Sequence, residues 1–282
     1  MAREVLTDEQ WERIAALLPP QKPSTGRPAK DHRTIVEAIL WIDRTGAPWR
    51  DLPQEFGPWQ SVATRFYRWV EAGVWDQVLA ELQKTGGCLW GLRLGAPSRR
   101  RNYGKSTPAR GRGAKRGSSQ HSAAAGPQDS QQEIEALGRS RGGFSTKIHL
   151  RAEGAGKPIT FLITAGARHE QSCFEALMEQ GAVKRQNQGR PRIRPERVVA
   201  DKGYSSKEIR SYLYRLGIGA VIARKGNERR RGPFDREAYR QRNIVERLIN
   251  RLKQFRRVAT RYEKRAKNYR AMVTIAAIVL WA

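Results

Sequence analysis

Apolar residues in the first part of the chain recur at the spacing of α-helices. The capping signal Thr7-Asp8-Glu9-Gln10 is followed by an apolar stripe that ends at Pro19-Pro20, which predicts a first helix. The same spacing predicts three further helices, over residues 31–45, 61–71 and 75–84. A short helical turn is predicted at residues 51–56. The pattern therefore predicts an all-α domain over residues 1–84.

From Gly138 onward, short apolar runs alternate with helical stretches. Strands are predicted over residues 144–152, 158–164, 197–200 and 219–223, and helices over residues 171–180, 206–216 and 235–258. The apolar stretch 271–282 is too short to span a bilayer, so we interpret it as a buried helix. Strands that alternate with helices are typical of an α/β sheet, and α/β is the fold class predicted for residues 138–282.

The segment between these two parts has a different composition. Residues 85–128 contain no Asp or Glu and nine Lys or Arg, and Gly, Arg, Ala and Pro dominate between Gly86 and Gly117. Such a stretch buries little apolar surface, so we expect residues 85–137 to form a disordered or loosely tethered basic linker that could follow DNA.

The net charge of the chain indicates what kind of partner it binds. The chain carries 54 Lys and Arg against 27 Asp and Glu, a net charge of +27, which favours a polyanionic partner such as nucleic acid. Charge alone leaves open an architectural binder without chemistry. The N-terminus lacks the apolar core of a signal peptide and no stretch is long enough to span a membrane, so we expect a cytoplasmic protein without a membrane partner.

The N-terminal helices suggest how DNA is read. Short helices, a Gly57-Pro58 break and a third helix that bears Arg65 and Arg68 are typical of a helix-turn-helix reader. The alternative is a small helical bundle whose arginines are only solvated.

Candidate chemistry begins at Asp201, which ends a predicted strand and is followed by Lys202-Gly203-Tyr204. That end of a strand faces the active-site crevice in α/β sheets. Taken alone, Asp201 could equally cap the helix that begins near Ser206.

A second set of polar residues lies on the predicted helix 235–258. Tyr239, Arg242, Glu246 and Lys253 fall on one stripe, since Arg242 and Glu246 are four residues apart and Lys253 follows two turns later. A Glu opposite the strand-end Asp201 would offer oxygen ligands that suit Mg²⁺, and the two cations could hold phosphates. The alternative is a salt-bridged surface stripe.

This spacing resembles the signature of bacterial insertion-sequence transposases of the insertion-sequence-four and insertion-sequence-five superfamily, most of all the latter family. Asp201-Lys202-Gly203-Tyr204 resembles the family's second-Asp motif, and residues 138–149 resemble its first internal strand. Residues 252–257 and 260–262 continue the likeness, and residues 6–75 are similar to its DNA-binding domain. The resemblance covers nearly all of the chain except residues 86–117.

The resemblance implies a ribonuclease-H-like catalytic domain over residues 138–282, preceded by the DNA-binding domain. Two Asp and one Glu would hold two divalent metals, Mg²⁺ or Mn²⁺, for phosphodiester hydrolysis at the ends of the element and strand transfer into a target. The implied partners are double-stranded DNA, both terminal inverted repeats and target, and a second copy in a DNA-bound homodimer associated with the bacterial nucleoid.

Site residues carry over position by position. Asp201 and Glu246 correspond to the second and third carboxylates and are the expected metal ligands. Supporting roles fall to Tyr239, Arg242, Lys253, Lys202 and Tyr204, and DNA contacts are expected from Arg65, Arg68, Arg256 and Arg257.

The first Asp of the family does not carry over. Its nearest counterpart is Lys105-Ser106-Thr107, and a lysine cannot ligate Mg²⁺. No carboxylate lies between Glu81 and Asp129, and Asp129, Glu133 and Glu135 sit in a polar segment without a strand pattern.

Two hypotheses account for this absence. In the first, residues 86–117 are an out-of-frame reading of a GC-rich gene, whose codons yield Gly, Arg, Ala and Pro. In the second, the chain is as written and binds DNA without cutting it. We favour a transposase by descent, with a non-catalytic basic DNA-binding protein as the alternative and an RNA nuclease as a weaker third interpretation.

Overall fold

A bundle of helices packs against one face of a mixed β-sheet in the computed structural model of this chain. The structure describes residues 6–21, 31–85, 92–101, 134–140, 143–181, 195–226, 228 and 234–282. The mixed α/β class and the helical N-terminal region are both as predicted from the sequence.

The N-terminal region contains the helices α1 (Asp8–Ala15), α2 (His32–Thr45), α3 (Trp59–Glu71) and α4 (Val74–Thr85). Thr7 and Gln10 form the predicted capping box of α1, although this helix ends at Ala15 rather than at the prolines. Asp31 caps α2, and Gly46 ends it in the left-handed conformation (φ 74°) that favours glycine. Two 3-10 turns, Trp49–Asp51 and Gln54–Phe56, replace the single predicted turn.

Within the described ranges, six strands make one sheet: β1 (Leu92–Arg101), β2 (Gly138–Ser140), β3 (Gly143–Ala152), β4 (Pro158–Ala165), β5 (Arg197–Ala200) and β6 (Gly219–Ile222). The order of the main strands is β4-β3-β1-β5-β6, and β2 pairs with the beginning of β3. β4, β3 and β1 pair antiparallel, whereas β1, β5 and β6 pair parallel. The predicted hairpin is the pair β3 and β4, with Leu150 opposite Phe161.

The central position of β1 differs from the sequence prediction. Residues 92–101 were expected to belong to a loosely tethered linker, but they form the strand between β3 and β5. Composition misled the prediction because ladder hydrogen bonds come from the backbone, which Gly- and Arg-rich segments also possess. Without β1, β3 and β5 would each present an unpaired edge.

The remaining helices are α5 (Phe174–Gln180), α6 (Lys207–Arg215), α7 (Arg236–Arg240), α8 (Asn243–Lys253), α9 (Arg256–Ala259) and α10 (Ala266–Trp281). The single long helix predicted over residues 235–258 is therefore wrong, since it is divided into α7, α8 and α9. Phe255 is extended (φ −80°, ψ 106°) and buried, which ends α8 and turns the chain. That turn lets Arg257 donate to the Ala47 carbonyl at 2.7 Å, a tertiary contact with no sequence signal.

Two cores stabilise the sheet. The larger core joins α1–α4, one face of β3, α8 and the whole of α10, so that the C-terminal helix packs with the N-terminal bundle. The smaller core lies between β5, β6, α5 and α6 around Phe174, Tyr204 and Leu213. The buried C-terminal helix is as predicted, and no helix within the described ranges is long and apolar enough to cross a membrane.

One buried carboxyl in the larger core makes stability depend on pH. Asp43 is fully buried, and neither of its oxygens has a hydrogen-bond partner among the described residues. Burial raises its pKa well above the ordinary value of 3.8, although the Arg257 guanidinium opposes the rise while Glu263 adds to it. The folded chain therefore keeps a proton that the unfolded chain releases, and stability falls as pH rises above about 4.

We expect Asp43→Asn to remove the loss of stability that ionisation of Asp43 causes above about pH 4. The melting temperature of the variant minus that of the unsubstituted chain should increase steadily from pH 4 to pH 7, because Asn has no proton to lose. Thermal melts across this range measure the difference. A difference that does not change with pH would show that the Asp43 carboxyl ionises in the folded chain as it does in the unfolded one.

Candidate active site

Asp201 lies where the sequence predicted it, directly after β5 at the carboxyl end of that strand. Its Oδ1 accepts a hydrogen bond of 2.7 Å from the Lys202 backbone N–H and so caps the 3-10 turn Lys202–Tyr204. The alternative role, capping of α6, belongs instead to Ser206, whose hydroxyl accepts from the Ile209 N–H. The Asp201 side chain is 31% exposed and so is accessible to a ligand.

Arg242 connects Asp201 to Glu246. Its Nη1 lies 3.7 Å from Asp201 Oδ1, and its Nη2 lies 2.6 Å from Glu246 Oε1 across one helical turn. Glu246 is in the first turn of α8, with half of its side chain exposed. The two carboxylates expected from the sequence therefore face one shared, solvent-accessible site and do not lie on opposite sides of the fold.

The other residues of the predicted stripe are divided between two helices. Tyr239 lies on α7, yet its ring still contacts Arg242, whose Cζ is 5.6 Å from the ring centroid. Burial raises the pKa of the Tyr239 phenol, and the nearby Asp201 and Glu246 carboxylates add to this while Arg242 opposes it. Lys202, next to Asp201, and Lys253, seven residues after Glu246 at the end of α8, are both exposed, as residues that hold phosphates need to be.

Tyr204, which was expected to support the site, does not line it. It is fully buried in the smaller core, where its hydroxyl lies 3.3 Å from His149 Nδ1. His149 is also fully buried, and its Nε2 lies 3.0 Å from the Thr164 hydroxyl. The hydrogen-bonded pair Tyr204 and His149 anchors the turn that carries Asp201 to strands β3 and β4.

Burial of His149 makes folding sensitive to acid. Burial lowers its pKa from 6.5 to about 4, and the nearby Lys147 ammonium contributes. A folded-state pKa below the unfolded value means that the stabilisation is present above pH 6.5 and is lost as pH falls towards 4. This shift corresponds to about 3 kcal/mol at 1.36 kcal/mol per pKa unit.

We expect His149→Gln to flatten the acid dependence of stability. The unsubstituted chain should lose up to about 3 kcal/mol more free energy of unfolding than the variant between pH 7 and pH 4. Urea denaturation at both pH values measures this, and the Asp43 effect is common to both chains. Equal losses in the two chains would mean that His149 is protonated in the folded state.

Three further polar residues under the turn were missed in the sequence. The Lys147 ammonium lies 3.0 Å from Glu170 Oε1, and the Gln171 amide donates to the carbonyl of Ser205 at 2.9 Å. Burial raises the pKa of Glu170, but a backbone hydrogen bond and Lys147 outweigh it and hold the pKa below its usual value. Lys147, His149 and Arg151 are all buried, although they occupy the polar positions of the strand β3. Only the packing of α5 and the strand-end turn reveals this.

A third carboxylate does not join Asp201 and Glu246 in the part of the chain that the structure describes, where no group of three His, Cys, Asp or Glu could hold a metal ion. Lys105, Asp129 and Glu133 lie outside the described residues. Glu135 is described and sits elsewhere, because its Oε2 accepts from the Ala266 N–H at the beginning of α10. The sequence judgement that Glu135 is a poor substitute agrees with this position.

The arginines expected to contact DNA fall into two groups. Arg68 and Arg256 are exposed. Arg65 is partly buried, with Nη1 3.3 Å from His32 Nε2 and its guanidinium over the Trp69 ring. Arg257 is only 5% exposed and pairs with Glu263, so the predicted DNA contact is not supported for Arg257. A guanidinium already neutralised in the interior is not available to a phosphate.

Comparisons with protein families match both parts of the chain. Residues 106–281 match the family described as "Transposase DDE domain", which is more than half of the chain. Residues 6–79 match the family described as "Putative transposase of IS4/5 family". The second match covers helices α1–α4 and ends within α4.

Two of the similar curated proteins described next are named as putative transposases, and the third is uncharacterised. An uncharacterised protein, y4sN, of Sinorhizobium fredii is 40% identical over 85 residues, 30% of this chain and 68% of that protein. The "Putative transposase for insertion sequence element IS402" of Burkholderia cepacia is 30% identical over 137 residues, 48% of this chain and 63% of that protein. The "Putative transposase for insertion sequence element IS6501" of Brucella ovis is 26% identical over 140 residues, 49% of this chain and 98% of that protein.

The alignment thus spans less than two thirds of the IS402 protein, and no solved structure matches the chain. The family match over residues 106–281 includes the strand-end Asp201 and the helix that bears Glu246. From its motifs, its site geometry and these matches, the chain belongs to the insertion-sequence transposases of the IS4/5 type, with a transposase DDE domain.

Proposed function

We propose that this chain is a DNA transposase in which Asp201 and Glu246 are two of the three catalytic carboxylates. The reaction is metal-dependent hydrolysis of phosphodiesters at the ends of an insertion sequence, followed by strand transfer into target DNA. The observation that carries the proposal is the Arg242 bridge, which holds Asp201 and Glu246 at one accessible site. A ribonuclease-H-like fold of the catalytic domain agrees with a sheet of three antiparallel strands continued by two parallel ones.

Arg242 and Tyr239 position the substrate strand in this proposal. Arg242 offsets part of the negative charge of the two carboxylates when no DNA is bound, and its guanidinium offers a planar donor pair to a phosphate. Tyr239 limits the motion of Arg242 through contact with its guanidinium. Exposed Lys202 and Lys253 extend the cationic surface along the strand.

DDE transposase domains generally use divalent metals, and the residues of this site have side chains that can bind such an ion. Asp201 and Glu246 offer accessible carboxylate oxygens, the ligand type that Mg²⁺ and Mn²⁺ prefer. These two residues fit a single cation, and a two-metal site needs the third carboxylate that the described residues lack. Such a cation would supply Lewis-acid polarisation of the phosphodiester.

The test is a cleavage assay on the DNA that flanks the gene, with Mg²⁺ or Mn²⁺. We expect cleavage by the unsubstituted chain that is lost in Asp201→Asn and in Glu246→Gln, because each variant removes a negative ligand and keeps the side-chain shape. Tyr214→Ala, on the exposed face of α6, serves as the matched control. Cleavage that persists in Asp201→Asn would exclude the proposed site.

The missing third carboxylate favours a second candidate function, a basic DNA-binding protein that does not cut. In that case the chain retards flanking DNA in a gel-shift assay, yet leaves it intact with either metal. Binding without cleavage supports this alternative, and metal-dependent cleavage rules it out.

An out-of-frame reading of residues 86–117 stays as a hypothesis for the missing Asp. Resequencing the gene over these codons tests it directly. A neighbouring frame that encodes an Asp supports the hypothesis, and the absence of such a frame contradicts it.

Partners follow from the same proposal. The helices of residues 1–84 act as a helix-turn-helix reader of the terminal inverted repeats, with exposed Arg68 on α3 directed to DNA. The chain then acts on double-stranded target DNA as a homodimer. Exposed Arg256, next to α8, adds a phosphate contact on the catalytic side.

A further inference from the structure

A wide cleft lies between the N-terminal bundle and the loop before α10. Its volume is about 930 Å³, at the upper end of the range for ligand-binding pockets. One wall comes from the connection between α2 and α3 and from α3 itself, and the other from residues 257–268. The cleft does not include Asp201 or Glu246, so it is separate from the candidate active site.

Aromatic rings dominate the lining of this cleft. Trp49, Trp59, Tyr67 and Tyr262 all border it. Tyr67 and Tyr262 are 38% and 49% exposed, although large aromatic side chains usually bury their rings. The cleft therefore presents π-faces to solvent.

Cations are arranged over these rings. The Arg257 guanidinium lies 5.5 Å from the Trp49 ring and 5.7 Å from the Tyr262 ring, so it forms a floor between the two walls. Arg50 lies over the Trp59 ring at 5.9 Å, and Lys264 is exposed beside Tyr262. Aromatic rings and cationic side chains therefore lie side by side in the cleft.

The acidic residues that border the cleft are already neutralised. Glu263 pairs with Arg257, and Glu71 pairs with Lys267. Arg50 and Lys264 have no salt bridge to a carboxylate in the described ranges. The charge left over at the cleft is positive, which suits an anionic occupant.

Aromatic faces beside free cations match the chemistry of single-stranded nucleic acid. Unpaired bases stack on such rings, while nearby cations hold the backbone phosphates. In a duplex the base faces are covered by their neighbours, so a duplex could use the cations but not the rings. The aromatic lining thus distinguishes a single strand from a duplex.

The position of the cleft agrees with this occupant. Arg257 follows Glu246 by eleven residues, of which the seven up to Lys253 lie in α8 and rise about 10 Å at 1.5 Å per residue, before the chain turns at Phe255. A strand cut at the candidate active site would need roughly three nucleotides at ~3.4 Å each to follow α8 as far as this turn, which leads directly to Arg257 in the cleft.

We propose that this cleft binds an unpaired segment of the DNA substrate through base stacking on Tyr262 and Trp59. The inference rests on the proposed function, since it takes DNA as the substrate. It goes beyond that function by assigning a second site on the chain, one specific for unpaired bases.

The test measures the binding of a fluorescein-labelled oligo-dT strand and of a labelled duplex of equal length to the full chain by anisotropy, in EDTA. We expect Tyr262→Ala to weaken binding of the single strand by about 5- to 150-fold, which corresponds to 1–3 kcal/mol per stacked base. Binding of the duplex should change less than about 2-fold. Tyr262→Phe should keep the single-strand affinity because its ring still stacks.

Tyr214→Ala removes a more exposed ring on α6, far from the cleft in sequence, and should leave both affinities unchanged. Equal effects of Tyr262→Ala and Tyr214→Ala on the single strand would overturn the inference. So would an equal loss of single-strand and duplex binding, or no loss of either, which would point to a general DNA surface or to a protein partner. Because EDTA excludes metal-dependent cleavage, failure of the catalytic proposal would not produce these results.

Discussion

Gly95→Asp is expected to raise Mg²⁺-dependent cleavage of flanking DNA by at least about 100-fold, equivalent to roughly 3 kcal/mol of transition-state stabilisation. Strand β1 runs parallel to β5, with Leu92 beside Val198 and Arg93 beside Val199. Continued by two residues, this register brings position 95 beside Asp201, which is itself extended (φ −67°, ψ 158°).

Neighbouring strands lie about 4.8 Å apart, and paired residues direct their Cβ atoms to the same face. We therefore expect an Asp at position 95 to supply the third carboxylate beside Asp201. The same cleavage assay used for Asp201→Asn measures the gain.

Three companions make this experiment decisive. Gly95→Asn has the same size without the charge, and the double variant Gly95→Asp, Asp201→Asn lacks the partner carboxylate, so neither should gain activity. Lys105→Asp tests the position suggested by sequence likeness alone. If cleavage activity increased in Lys105→Asp but not in Gly95→Asp, position 95 of β1 would not be the place of the third carboxylate.

Trp281→Ala is expected to lower the free energy of unfolding by about 3–5 kcal/mol. Trp281 is 1% exposed, and its indole N–H donates to the Pro158 carbonyl at 2.6 Å, so it joins α10 to β4. Truncation would leave a cavity, and the Pro158 carbonyl would keep only its 3.2 Å hydrogen bond from the Gln83 amide. Because α10 also packs on α4, the whole chain should melt in one transition at a temperature lower by about 6–20 °C.

Calorimetry of the full chain measures both quantities. Tyr214→Ala, at a side chain that is 87% exposed, should change stability by less than about 0.5 kcal/mol. Two separate transitions, of which only one shifts in Trp281→Ala, would contradict the shared core and favour independent units with a boundary near residue 137.

The sequence predicted local structure well where a local cause is sufficient. The capping box at Thr7, the stop at Gly46 and the strand that ends at Asp201 all depend on near neighbours, and the structure contains each of them. The pair Arg242 and Glu246 was predicted for the same reason, since one turn of helix brings them together. Net charge and motif spacing indicated DNA and the transposase family before any coordinates.

Contacts between distant segments could not be predicted in this way. Strand β1 lacked an apolar pattern, and only its pairing with β3 and β5 defines it as central. The burial of Lys147 and His149 could not be read from the strand pattern either, because alternation specifies two faces but not what covers each of them. Arg257 looked like a DNA contact, and its burial depends on Glu263 and on the Ala47 carbonyl, 210 residues away.

The sequence was sufficient to predict the family, the strand that ends at Asp201 and the one-turn spacing of Arg242 and Glu246, because caps, periodicity and motif spacing act within a few residues. The tertiary structure alone decided that Arg242 joins Asp201 to Glu246, that α10 completes the N-terminal bundle and that an aromatic cleft forms beside them. These features need segments far apart in the chain to pack together, and packing depends on three-dimensional shape, which no local pattern specifies.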